Sequence, residues 1–77
     1  MFALKGLCKW FDATKGFGFI TVNEIDYFVH FKEIKMAGYK TLEAGQQVTF
    51  MAFKTERGWM AKDVILIKDG VASDNWG

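Results

Sequence analysis

Lys15-Gly16-Phe17-Gly18-Phe19-Ile20-Thr21, followed shortly by Tyr27-Phe28-Val29-His30-Phe31, is the stretch on which the fold turns. Aromatic residues recur at every second position, and a strand sends alternate side chains to opposite faces. Phe17 and Phe19 therefore share one face, and so do Phe28 and His30. Ile20 and Val22 lie on the reverse of the first strand, Tyr27 and Val29 on the reverse of the second. Gly16 and Gly18 flank Phe17 opposite the rings, where a missing side chain lets a strand bend or pass close to another backbone. Rings aligned on one face are either hidden in a core or offered to a flat partner, and nucleobases are flat.

Outward from this stretch the chain is a series of short apolar runs broken by turn signals, with little support for long helices. The pattern predicts strands over Leu4 to Phe11, Phe17 to Val22, Asp26 to His30, Gln47 to Phe53 and Trp59 to Ile67. Asp12 to Gly16 and Asn23-Glu24 read as turns. The stretch from Phe31 to Glu43 reads as irregular, with one helical turn near Lys32 to Ile34. Five short antiparallel strands left open would expose unpaired edges, and closure into a barrel removes them. The expected architecture is therefore all-β, a closed five-stranded antiparallel barrel. Ile20, Val22, Val29, Val48 and Val64 would fill it, leaving Phe17, Phe19 and Phe28 outside.

Seventy-seven residues make one small domain, in which folding buries only about 60 to 65% of the unfolded chain's surface. We expect that domain over 1–67, with 68–77 as a flexible tail. Aromatics form 17% of the chain, and eight of the thirteen fall within the first 31 residues. That asymmetry marks the front half as the functional surface. The net charge is only +1, although residues 1–40 carry six lysines against four acids. The aromatic half is thus the weakly positive half.

A single cysteine, Cys8, rules out an internal disulfide, and with one histidine there is no zinc ligand set. No metal or cofactor is expected. No run resembles a signal peptide or approaches the roughly 18 apolar residues of a spanning helix, so a cytoplasmic location and no membrane partner are expected. His30 and Asp26 suggest acid-base chemistry, yet no nucleophile, metal set or phosphate-cradling loop accompanies them, so no catalytic residue and no small-molecule substrate are expected. Two other fates for the rings stay open: burial in a core, or an interface with a protein partner or a second copy of the chain.

The motifs Lys9-Trp10-Phe11, Lys15-Gly16-Phe17-Gly18-Phe19-Ile20 and Phe28-Val29-His30-Phe31 resemble the ribonucleoprotein motifs of the cold-shock domain family. The likeness continues through Gly38-Tyr39-Lys40-Thr41-Leu42 and Gly45-Gln46 to Arg57-Gly58, covering roughly 4–66. It implies a barrel of the oligonucleotide-binding type that binds single-stranded RNA or DNA and acts as an RNA chaperone. A closed barrel of this size needs no partner, so a monomer is expected, with a dimer by strand exchange through the long central loop as the alternative. Carried over by position, Trp10, Phe17, Phe19, Phe28, His30 and Phe31 would stack bases, with Tyr39 extending the platform. Lys9, Lys15, Lys40 and Arg57 would meet phosphates or base edges, and Asp12 and Asp26 would contact bases or support the site.

Four positions depart from the family's pattern. Asp12 stands where Asn is usual, Leu7 where Lys is frequent, Lys32 where Ser is usual and Trp59 where Pro is typical. Trp59 adds a large ring near the platform's edge, either as a further stacking position or as a cover for Met51 or Phe53.

Overall fold

The computed structural model describes residues 3–36, 38 and 40–67. Tyr39 and the tail 68–77 lie outside the described residues. Five strands succeed one another in chain order: β1 (Ala3–Asp12), β2 (Phe17–Val22), β3 (Ile25–His30), β4 (Gln47–Thr55) and β5 (Gly58–Leu66), with a short 3-10 turn at Phe31–Glu33. They close into a barrel in the order β1-β2-β3-β5-β4. The β1–β2, β1–β4, β2–β3 and β4–β5 seams are antiparallel. The seam that shuts the barrel, β3 against β5, is parallel and pairs Phe28 with Met60. Closing the strand order around the long connection from β3 to β4 brings β3 and β5 together pointing the same way.

Alternation holds where the motif is cleanest. Ile20, Val29, Val48 and Val64 are fully buried, with Cys8, Tyr27 and Phe50 beside them. Val22 packs against this core from its margin, half-buried. Ile34 and Leu42, from the long connection, are also buried in the core, and Ile34 bridges Val64. The irregular stretch therefore supplies part of the interior. Burial pushes the Cys8 thiol up to about 11, because a thiolate there would lose its hydration.

Two glycines are fixed by close approach. A Cβ on Gly18 would collide with the Trp10 carbonyl oxygen and stand 2.6 Å from the Phe11 Cα, so β2 can lie against β1 here only without a side chain. A Cβ on Gly6 would stand 2.6 Å from a Val22 methyl. The β2–β3 hairpin turns through Asn23 and Glu24, both at positive φ (50° and 70°), as a two-residue loop matched to strand twist demands.

Candidate nucleic-acid interface

Strict alternation along β1 would place Trp10 on the same face as the buried Cys8. The register shifts between them: Cys8 pairs with Ile20, and Trp10 with Phe19. Lys9 is the extra residue of a β-bulge, which reverses the parity of the rest of the strand. Trp10 thus turns outward, 41% exposed, while Phe11 packs against the core.

The bulge completes a cluster of four rings. Trp10 lies 5.9 Å from Phe17 and 5.4 Å from Phe19, centroid to centroid. Phe28 closes the circuit at 5.6 Å from Phe17 and 5.7 Å from Phe19. Each ring is edge-on or tilted to its neighbours, as ring quadrupoles prefer. The three Phe rings are half-buried, which holds them in place and keeps a surface open to solvent. His30 pairs with Phe17 across the β2–β3 seam, and its ring lies 4.7 Å from that of Phe31. The Lys32 backbone N–H donates to His30 Nδ1 at 3.3 Å, so a neutral imidazole carries its proton on Nε2.

The loop after β1 is shaped to deliver Phe31. Asp12 Oδ1 accepts from the Thr14 and Lys15 N–H groups at 2.9 and 3.0 Å, and the Gly16 N–H donates to the Asp12 carbonyl. The Phe31 N–H in turn donates to the Gly16 carbonyl, and the Phe31 ring occupies the space a Cβ on Gly16 would need. Gly16 is also at φ +83°, so two independent constraints demand glycine there. Asp12 serves this turn through an acceptor oxygen, a duty that Asn performs equally well. Beside the exposed Phe31 ring opens a cleft of about 460 Å³, with Lys15 and Lys40 among its walls.

At the other end of the ring cluster lies a second cleft, of about 410 Å³, whose lining includes Phe19, Asp26, Phe28, Arg57, Trp59 and Met60. The β4–β5 turn sets Arg57: the Thr55 hydroxyl accepts from the Arg57 N–H and donates to the Gly58 carbonyl. Trp59 packs its ring on Tyr27, 5.7 Å away, with the Lys54 ammonium 5.3 Å from its centroid. It is still 38% exposed and faces the cleft. Its ring thus covers Tyr27.

Lys9 and Asp26 form an ion pair with each other at 2.9 Å. Both side chains are about half exposed, so the pair contributes about 1 kcal/mol at most and exchanges easily for a phosphate or a base edge. Sequence reasoning singles out Lys9 and Asp26 separately and misses their contact, because no local pattern encodes the distance between β1 and β3. It also misses Met60, a lining residue whose place comes only from the parallel seam. Leu7 is 45% exposed on the outer face of β1, and Lys32 is exposed beside His30.

Comparison with known proteins agrees with this architecture. The family model of the 'Cold-shock' DNA-binding domain matches residues 4–67. The chain is similar to the cold shock protein CspA of Staphylococcus saprophyticus, 52% identical over 62 residues, covering 79% of this chain and 94% of that protein. It is similar to the cold shock protein CapB of Pseudomonas syringae pv. tomato, 49% identical over 63 residues, covering 80% and 91%. The solved structure of "drosophila Unr CSD456" superposes with a TM-score of 0.72 at 18% identity, over 96% of this chain and 29% of that one, and shares the fold.

Proposed function

The chain belongs to the cold-shock domain family, a nucleic-acid-binding family, and from that premise we propose that it binds single-stranded RNA or DNA by stacking bases on the quartet Trp10, Phe17, Phe19 and Phe28. The observation that carries this reading is the closed circuit of four outward rings, with centroid spacings of 5.4 to 5.9 Å. Four large rings held half open on a 77-residue domain serve little purpose in its core.

Stacking dominates the energetics. Each stacked base is worth about 1–3 kcal/mol, so three or four sustain micromolar binding after the cost of association. Charge adds a smaller part, from Lys15 and Lys40 beside Phe31 and Arg57 beside Trp59. Tyr39 is a further candidate for stacking on the family resemblance alone. A closed barrel has no free edge to pair, which favours a monomer. No reactive group is required at any point, so the activity is binding and not catalysis.

A protein that stacks unpaired bases binds melted strands in preference to paired ones and shifts the equilibrium by mass action, without ATP. The chain is in this reading a cytoplasmic RNA chaperone that loosens secondary structure. Titration with oligothymidine or oligouridine while tryptophan emission is followed tests it: Trp10 quenches as a base stacks. An unchanged signal at high micromolar ligand, with an oligomer seen by sedimentation, would instead assign the rings to self-association.

A further inference from the structure

The ring quartet is one end of a longer row. Trp10 pairs with Phe19, Phe19 with Phe28, Phe28 with Met60 and Met60 with Phe53, so outward apolar side chains stand in register across every strand from β1 to β4. Met60 and Phe53 point away from the core, since their neighbours Ala61 and Ala52 face it. Both are half exposed, and Met60 lines the cleft beside Phe28. The Lys62 ammonium sits 5.9 Å from the Phe53 ring centroid. Lys62 over Phe53 and Arg57 in the cleft with Met60 outnumber the one acid lining that cleft, Asp26.

We propose that a single strand bound on the quartet continues across Met60 to a further base-stacking position on Phe53, with Lys62 meeting its phosphate. The inference rests on the single-strand-binding reading above and extends its track by two strand spacings, about 10 Å beyond Phe28. The Lys62 ammonium does not block the ring: an exposed cation–π contact is weaker than a stacked base. A base therefore displaces the ammonium, which remains within reach of the backbone. Continuity with the quartet and local positive charge both fit a polyanion carrying flat bases.

Fluorescence anisotropy with labelled oligothymidines of about four to twelve nucleotides, the range such folds cover, tests the extension. Phe53→Leu keeps an apolar side chain and removes the ring face. It is expected to weaken the longest oligonucleotide roughly five-fold or more and to leave the shortest unchanged. Lys62→Gln, which removes the ammonium over the Phe53 ring, is expected to lower the salt slope by about 0.7 for long oligonucleotides only. A length dependence identical to that of the unaltered protein, or an equal loss at every length, overturns the extension while leaving quartet binding intact. Failure of the unaltered protein to bind at any length removes both.

Discussion

Trp10 and Phe19 face each other across the β1–β2 seam with ring centroids 5.4 Å apart, because Lys9 is inserted as an extra residue between Cys8 and Trp10. The same strand thus buries Cys8 and exposes Trp10 two positions later. Beyond the bulge the two strands pass close together, and that approach depends on Gly18. Gly18→Ala places a Cβ against the Trp10 carbonyl and the Phe11 Cα, both backbone and unable to swing aside. We expect a loss of roughly 1–3 kcal/mol in thermal unfolding, as overpacking costs.

The Lys9–Asp26 pair separates stability from binding. Asp26→Asn and Lys9→Gln each change stability by less than about 1 kcal/mol, since both partners are solvated. Lys9→Gln alone lowers the slope of log affinity against log salt by about 0.7, the loss of one phosphate contact to a single strand. Affinity measured at several salt concentrations reads this out.

Trp59 works on both sides of the barrel wall. Removal of its ring uncovers Tyr27 and one wall of the cleft beside Phe28. Trp59→Ala is therefore expected to lower both the melting temperature and the affinity for oligothymidine. A lowered melting temperature with unchanged affinity would limit Trp59 to covering the core.

Cys8 makes stability depend on alkaline pH. Its folded value of about 11 lies above the ordinary thiol value of 9.0, so from pH 9 to 11 the unfolded chain has lost its proton while the folded chain keeps it. The unfolded state then binds fewer protons, and stability falls as pH rises through this window and is unaffected by this group below it. Denaturant unfolding of the protein and of Cys8→Ala at about pH 8 and about pH 10.5 measures the difference: the decline attributable to the thiol disappears in the variant. Native Cys8, 2% exposed, is also expected to resist thiol reagents until the barrel opens.

Much of this fold is legible in the sequence because β2 and β3 alternate without interruption, so Ile20 and Val29 must go in if Phe19 and Phe28 go out. The motif resemblance supplies Trp10, which periodicity through Cys8 would send inward. The bulge at Lys9 is what reconciles the two, and no local signal marks it. Asp63 is a parallel case on β5: it sits at φ 52°, where the β4–β5 register shifts, and pairs with Lys35. The row from Phe28 through Met60 to Phe53 is illegible for a different reason. It depends on which strands meet when the barrel shuts, a long-range choice that the period of a single strand does not contain. Ile34 and Leu42 lie in a segment with no period at all, yet both are core.

On the function proposed above, the quartet binds bases and does not merely pack. Phe28 joins the quartet to the rest of the row, touching Phe17 and Phe19 and pairing with Met60. The affinity of Phe28→Ala for a short oligothymidine, measured where its melting curve shows a folded protein, is the direct test. The loss of two ring contacts costs stability about 1–3 kcal/mol and leaves the barrel folded at about 25 °C, while affinity falls by more than about 1 kcal/mol, at least roughly five-fold. An affinity equal to that of the unaltered protein, or a chain that no longer folds, would mean that the rings serve packing alone.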